Sequence, residues 1–453
     1  MIMAPEIAIS GTAFLILLND VFTKNKMTNY ILAILGLAIA FTFACGFSST
    51  QASMFGGRFI IDSAAMGFKF IFITTAFAAI VFANYQSTKT QFKYLGEFYT
   101  LLLFSLTGMM FLVSSTDLIT LVISLELSTL PLFLLSAWQK HKMESMEAAV
   151  KYVLLGAFSS AILLFGVALL YGLTGSMELQ TISAELPRMP LYFSLAMIFA
   201  GIGFKITTFP FHQWSPDVYE NAPTSITSFL SIASKAAGVA FFIKIFFDMM
   251  GSFHQDFQTL YLIAAVVTMS FGNLVAIGQK NIKRFMAYSS IAHAGFIFMG
   301  LLINSPESKS AIIYFFIAYL VSNLTIFGVI SFVETETGKT QIKDYAGLSQ
   351  KRPLYALAML IALFSLAGIP PLSGFLGKFY LMNIAAKAGF YWLVGVAAIN
   401  STISLYYYLQ IIRQMYVVDG EENFSGKTPL LFNLVVIALT LGTVLLGIFP
   451  IKF

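Results

Sequence analysis

The sequence predicts an all-α polytopic membrane protein of about fourteen transmembrane helices, built from two inverted five-helix repeats that each contain a broken helix. Three observations predict this class. The 453 residues are 58% hydrophobic and only 10% charged, more apolar surface than a soluble core conceals. Apolar runs long enough to cross a hydrocarbon core of about 30 Å recur along the chain. Two of those runs are interrupted by prolines close to a lysine. A β-barrel is excluded, because its strands alternate over about ten residues instead of staying apolar.

The runs centre near residues 7–22, 28–46, 64–83, 96–113, 116–138, 147–171, 190–209, 225–249, 259–277, 283–303, 309–333, 354–388, 389–412 and 428–448. They divide into a flank of three spans (1–95), a first repeat of spans 4–8 (96–250), a second repeat of spans 9–13 (251–420) and a C-terminal span (421–453). The first run has no basic leader or small-residue cleavage site, so it is expected to be a retained helix.

Positive charge is distributed by side. With the N-terminus outside, one set of loops receives Lys24, Lys26, Lys89, Lys93, Lys140, Lys142, Lys280, Lys283, Arg284, Lys339, Lys343, Lys351, Arg352, Arg413 and Lys427. The other set receives Arg58, Arg188, Lys309, Lys387 and Lys452. The positive-inside rule then places both termini on the non-cytoplasmic side of a bacterial inner membrane. The net charge of +5 therefore records topology and implies no nucleic-acid partner.

Redox chemistry is not expected in this chain. Its one cysteine, Cys45, allows no internal disulfide and no cysteine-ligated iron–sulfur cluster. Of His141, His212, His254 and His293, only His293 sits well inside a span, which argues against a bis-histidine haem. No metal or cofactor site is expected.

Subtracting the loops leaves the charges that stay in the membrane. An ionisable group at the bilayer centre costs a few kcal/mol or more, so it must be buried in protein or beside internal water. Glu126, Lys205, Lys235 and Lys378 lie too far from a helix end to escape. Glu126 is about ten residues into the fifth span and Lys205 about fourteen into the seventh, which runs the same way, so they differ by only about 6 Å in depth. Lys235 falls near mid-depth on the eighth. Desolvation lowers a lysine's proton affinity and a nearby carboxylate raises it, so a lysine that alternately pairs with and leaves Glu126 binds and releases a proton. A purely structural Glu–Lys pair is the competing reading of these residues. Lys69 and Lys244, near span ends, are expected to snorkel. Lys151 is open between snorkelling and a supporting role, and His293 between a proton relay and a satisfied polar contact. The run "SLYYYLQIIRQMY" suits an interfacial aromatic belt.

Proline inside a span frees backbone carbonyls, which must face protein or internal water. The seventh span carries "TTFPFHQWSPDVYENAP", with breaks expected at Pro210 and Pro216. The twelfth carries "SLAGIPPLSGFLGKFYL", with Pro370 and Pro371 ahead of Lys378. The two run in opposite directions, and their separations agree roughly: Glu126 to His293 is 167 positions and Lys205 to Lys378 is 173. Paired broken helices mark an inverted repeat with its ion site at the breaks. Each break supplies polar backbone beside a titratable lysine.

These blocks also carry a family resemblance. "FKITTFPFHQWSPDVYENAPTSITSFLSIASKAAG", "ISLELSTLPLFLL", "EAAVKYVLLGAFSSAILLFG", "NIKRFMAYSSIAHAGFI" and "GIPPLSGFLGKFYL" resemble, in order and spacing over the whole chain, the antiporter-like membrane subunits of respiratory complex I (NADH:quinone oxidoreductase). Within that family the chain looks most like the subunit N branch, counterpart of mitochondrial subunit 2, because Lys378 stands where the subunit M branch has glutamate. The resemblance implies a redox-inactive, proton-translocating subunit of a translocase. Glu126 would modulate the input lysine Lys205, Lys235 would connect, His293 would continue the polar axis, Lys378 would be the output lysine and Lys151 would support. It further implies FMN, iron–sulfur clusters and quinone in partner subunits, and subunit M with small membrane subunits as neighbours. An Mrp-type cation/proton antiporter subunit shares these features and is the alternative; a structural membrane scaffold is the second.

Overall fold

The computed structural model describes residues 2–451 apart from 24, 49, 90–93, 140–141, 180–185, 250, 421–423 and 425. Lys24, Lys93, Lys140, His141 and Lys452 lie outside the described residues. The described residues are mainly helical: α1 (Ala4–Phe22), α2 (Lys26–Gly46), α3 (Ser63–Gln86), α4 (Leu95–Ser114), α5 (Leu118–Ser136), α6 (Met143–Thr174), α7 (Arg188–Ile206), α8 (Trp214–Asn221), α9 (Thr224–Phe229), α10 (Lys235–Ile243), α11 (Gln258–Ala276), α12 (Ile282–Gly300), α13 (Pro306–Thr337), α14 (Leu348–Lys351), α15 (Pro353–Ala367), α16 (Ser373–Lys387), α17 (Tyr391–Tyr416) and α18 (Leu430–Ile448). A short hairpin of β1 (Ala52–Met54) and β2 (Phe59–Ile61) joins α2 to α3.

Among the described residues, eleven helical segments are long and apolar enough to cross a bilayer. Eight are α1 to α7 and α13. The others are Thr224–Met249, which contains α9 and α10, Phe253–Ala276, which ends in α11, and α18. The remaining predicted runs fall on α12, on α15 with α16, and on α17, which are helical too.

Local chemistry sets the ends. Asn25 caps α2, Asp117 caps α5, Asn281 caps α12 and Ser305 caps α13, each side chain accepting from backbone N–H groups of the first turn. Pro5, Pro306 and Pro353 occupy first turns, where no N–H is needed. Pro216 belongs with them. It was expected to break the seventh span, but it lies in the first turn of α8, where proline starts a helix at no hydrogen-bond cost.

The contacts divide the chain into two compact units. Unit 1 comprises Met1–Ile80, Tyr94–Trp214 and Ala233–Gln258. In it α1 packs on α2 and α4, α4 on α5, and α6 on α7. The loop after α6, whose end is capped by left-handed Gly175, returns to the start of α5: Leu118 N–H donates to Met177 O at 2.8 Å and Leu179 N–H to Thr116 O at 3.1 Å.

Unit 2 comprises Val81–Lys93, Ser215–Ile232 and Thr259–Phe453. Its centre is α13, 94% buried over its apolar stretch and packed by α9, α12, α15, α16 and α18. The loop after α13, capped by left-handed Gly338, returns to the start of α12: Ile282 N–H donates to Thr340 O at 2.9 Å and Ile342 N–H to Lys280 O at 2.8 Å.

The structure corrects two expectations about charge and rings. Lys69 does not snorkel. It is fully buried and ion-paired at 2.6 Å with Glu6, also fully buried, because the first turn of α1 brings a carboxylate to α3. Lys244 reaches partial exposure near Asp248, 4.0 Å away. The tyrosine run of α17 is not a simple interfacial belt: Tyr406 is exposed, but Tyr407 and Tyr408 turn inward and are buried. Three consecutive helical positions point in different directions, so a run of tyrosines divides between faces.

Candidate functional site: buried lysines at two broken helices

In unit 1 the seventh span ends at Ile206 and resumes at Trp214. Thr207 adopts a left-handed conformation (φ 65°), its N–H donating to the carbonyls of Gly203 and Phe204, and Thr208 N–H donates to Gly203 O at 2.9 Å. Trp214 Nε1 closes the break by donating to Phe204 O at 2.9 Å, and its ring stacks on Tyr152 of α6. The carbonyls of Gly203 and Phe204 are thus satisfied by side chain and backbone, as an apolar environment requires.

Lys205 projects from the last turn of α7 and is 3% exposed. Its Nζ donates to Thr129 Oγ1 of α5 at 3.0 Å and lies 5.7 and 5.8 Å from the ring centres of Phe133 and Phe204. Thr129 Oγ1 in turn donates to Leu125 O at 2.8 Å, which leaves its lone pairs for the lysine. Glu126, one turn earlier on α5, accepts from Ser160 Oγ of α6 at 2.7 Å. The predicted pair is therefore assembled but apart, each partner held by its own hydroxyl. Lys205 is still within the electrostatic reach of Glu126.

Lys235, 2% exposed, opens α10 directly after a π-helical stretch, Leu230–Ser234. Such wide turns re-aim a side chain within a helix and recur at functional positions. Gly238 lets α10 approach the lysine-bearing end of α7: a Cβ there would meet Lys205 Cβ at 3.2 Å. His212, in the break, is buried, stacks on Phe209 and feels the charge of Lys235. Sequence reasoning passed over His212 because it lies beyond the apolar run; its signal was its place between the two prolines of "FPFHQWSP".

Lys151 is not drawn into this group. Its side chain is 46% exposed on α6 and ion-paired at 2.9 Å with Glu147, four residues earlier.

In unit 2 the twelfth span breaks between Ala367 and Ser373, at Pro370 and Pro371. Gly374 is required here, since a Cβ would fall 2.0 Å from Ser365 O; its N–H donates to Ser365 Oγ at 3.0 Å. Lys378, 3% exposed, donates to Ser401 Oγ at 2.9 Å and to Ala367 O at 3.2 Å, a carbonyl freed by the break. Its Nζ sits 4.8 Å from the centre of the Phe296 ring. Lys205 precedes its break and Lys378 follows its own.

His293 on α12 is buried, with Nε2 3.5 Å from Tyr408 Oη and its ring against Tyr319 and Phe296. Phe296 thus lies beside both His293 and Lys378. Ser289 and Tyr408 are hydrogen-bonded at 2.5 Å, and Asn273, Asn400 and Tyr407 form a second buried set, with Tyr407 Oη donating to Asn273 at 2.8 Å and Asn273 to Asn400 at 2.9 Å. These amides and phenols were not singled out from sequence, since isolated polar residues in apolar runs look alike until their partners are known. Among the described residues no group of histidine, cysteine and carboxylates is placed to hold a metal.

A polytopic helical membrane protein with buried lysines at two broken helices falls in the ion-translocating, antiporter-like class. The sequence pattern of the transmembrane family described as NADH:quinone oxidoreductase/Mrp antiporter matches residues 115–404. NADH-quinone oxidoreductase subunit N of Trichlorobacter lovleyi is 38% identical, over 99% of this chain and 94% of that protein. The chain belongs to the NADH-quinone oxidoreductase subunit N family. A chain of the Thermus thermophilus respiratory complex I, solved with bound aureothin, superposes with a TM-score of 0.86 at 28% identity, covering 98% of this chain and 97% of its own length. A chain of the Mrp complex from Dietzia sp. shares the fold, with a TM-score of 0.88 at 18% identity over 99% of this chain and 94% of that one.

Proposed function

We propose that this chain is a redox-inactive, proton-translocating membrane subunit of a complex I-type NADH:quinone oxidoreductase. Membership of the subunit N family supports the assembly. The observation that carries proton chemistry is Lys205: an almost fully buried amine at a broken helix, bonded to Thr129 while Glu126 waits on the same helix bonded to Ser160. A small rotation of either side chain exchanges hydroxyl for ion pair, which raises or lowers the lysine's hold on its proton. Glu126, Lys205 and Lys235 serve unit 1, and His293 and Lys378 serve unit 2. The exposed Lys151 has at most a supporting role.

Fourteen crossings follow if α12, α15 with α16, and α17 span as well, with both termini outside the cytoplasm of a bacterial inner membrane. Two inverted repeats, spans 4–8 and 9–13, are supported by paired features. Asp117 and Asn281 cap corresponding helices 164 positions apart, and Gly175 and Gly338 end two 32-residue helices 163 positions apart. FMN, iron–sulfur clusters and quinone belong to partner subunits, and subunit M with small membrane subunits are the expected neighbours. Moving one charge against 100 mV costs about 2.3 kcal/mol, which those partners must supply.

The test is Lys205→Ala and Glu126→Ala in the assembled complex. Both are expected to lower quinone-linked proton pumping severalfold with assembly retained. Full pumping by assembled Lys205→Ala would refute the assignment. An Mrp-type antiporter role predicts instead a purified assembly without flavin or iron–sulfur partners.

A further inference from the structure

Glu334 stands near the end of α13, in unit 2, and none of the chemistry above uses it. Its carboxylate accepts from Thr224 Oγ1, from Lys283 Nζ at 3.2 Å and from Gln86 Nε2 at 3.4 Å. Lys283 also donates to Ala222 O at 3.0 Å, and Gln86 accepts Ser225 N–H at 3.3 Å. The glutamate side chain is 16% exposed and the lysine 3%, so the carboxylate bridges solvent and interior. Tyr345 packs nearby; burial first, then the charges of Glu334 and Asp344, hold its phenol protonated, well above the usual range.

The helical segment that starts at Thr224 leads inward from this carboxylate. Thr224, Ser225, Ser228 and Ser231 are all fully buried. The three serines recur every third residue, about 4.5 Å apart along the axis. Ser228 donates to Ser225 O at 2.7 Å, Ser231 to Ser228 O at 2.8 Å, and Asn323 of α13 donates to Ser231 Oγ at 2.8 Å. Ser322, beside Asn323, donates at 2.8 Å to Ser365 Oγ, the hydroxyl that holds Gly374 at the Lys378 break. Ser225 Oγ, Asn323 Oδ1 and Ser331 Oγ are buried with no hydrogen-bond partner among the described residues. A fixed structural anchor pairs its polar atoms; orphaned ones along one path suit a guest that passes through.

We propose that Glu334 is the proton-loading carboxylate of unit 2, delivering protons from solvent at the loop end of α13 into the hydroxyl stripe from Thr224 to Ser231, toward Asn323 and the Lys378 break. In the loading step an O–H bond of hydronium breaks and the Glu334 O–H bond forms, while Lys283 keeps its bond to Ala222 O. In the delivery step that O–H bond breaks, the proton passes through water hydrogen-bonded to the stripe, and the N–H bond forms on Lys378 as its neutral amine, restoring the carboxylate.

The assignment rests on the proton-translocation reading, and Lys205→Ala separates the two. The experiment measures proton pumping per quinone reduced, and its pH profile, in the assembled complex carrying Glu334→Gln or Glu334→Asp. Gln keeps the shape, turns one of the two acceptor oxygens into an NH2 donor and does not exchange protons, so pumping should fall about a hundredfold, as for loss of a general acid–base group. Asp should restore most of it, with a displaced pH profile. Normal pumping by assembled Glu334→Gln, with Lys205→Ala impaired, overturns the loading role and leaves the wider reading intact; normal pumping by Lys205→Ala removes the wider reading itself. If Glu334→Gln fails to assemble, Ser231→Ala decides: it removes the acceptor of Asn323, a fall in pumping supports the route and unchanged pumping overturns it.

Discussion

At the residue scale, the informative detail is which hydroxyl holds which charge. Thr129 gives its hydrogen to Leu125 O and offers its lone pairs to Lys205. That makes Thr129 a positioning residue for the separated state of the pair. Thr129→Val keeps the shape and removes the acceptor, at a cost of about 1.5–3 kcal/mol for a hydrogen bond from a charged donor. The lysine then favours Glu126, and pumping by the assembled complex is expected to drop severalfold with a shifted pH profile; Thr129→Ser should restore both. A profile unchanged in Thr129→Val would show that the hydroxyl is incidental. Glu126, Lys205, Lys235 and Lys378 were legible in sequence because a charge deep in an apolar run is conspicuous. Thr129 and Ser160 were not: serine and threonine are common in membrane helices, and nothing local marks the two that touch the pair. Lys69 was misjudged for a related reason. Distance from a helix end measures the opportunity to snorkel, but Glu6, more than sixty positions away, removes the need.

At the element scale, the breaks follow from proline plus a specific closure. Pro210 interrupts the ladder, and Trp214 repairs it by bonding Phe204 O. The breaks at Pro210 and at Pro370–Pro371 were legible; the starting role of Pro216 and the closure were not, because the closure depends on where the tryptophan ring packs. The same logic governs α1 and α3, which the buried Glu6–Lys69 pair ties together. Breaking one side of such a pair leaves an uncompensated charge and typically costs about 3–5 kcal/mol, whereas replacing both by apolar residues is often neutral. Lys69→Met should therefore lower the melting temperature of the purified complex or its yield. The double variant Glu6→Leu with Lys69→Met should recover most of the loss. A double variant as unstable as the single one would mean that the two charges do not act as a pair.

At the scale of the whole molecule, all fourteen runs were read as spans from the sequence; among the described residues eleven helical segments are long and apolar enough to cross, whereas α12, α15 with α16, and α17 dilute their apolar character with His293, the Pro370–Pro371 break, Lys378 and the buried Asn400, Tyr407 and Tyr408. Whether they cross decides the topology, and the topology decides which face of the membrane Glu334 samples. With fourteen crossings and the N-terminus outside, Arg58 and Lys387 face the non-cytoplasmic side, and Lys280 and Lys339 the cytoplasm; all four lie at exposed positions. Replacing the only cysteine gives a Cys45→Ser background in which each can be probed singly. In intact cells a membrane-impermeant maleimide should label Arg58→Cys and Lys387→Cys, and should reach Lys280→Cys and Lys339→Cys only after permeabilisation. Arg58 precedes α3 and Lys387 ends α16, so the pair brackets α12 and α15 with α16, while α17 lies beyond it. If Lys387→Cys were labelled only after permeabilisation while Arg58→Cys was labelled in intact cells, the number of crossings between them would be odd in place of even. The two broken helices would then lose their opposed directions, and the inverted repeat would go with them.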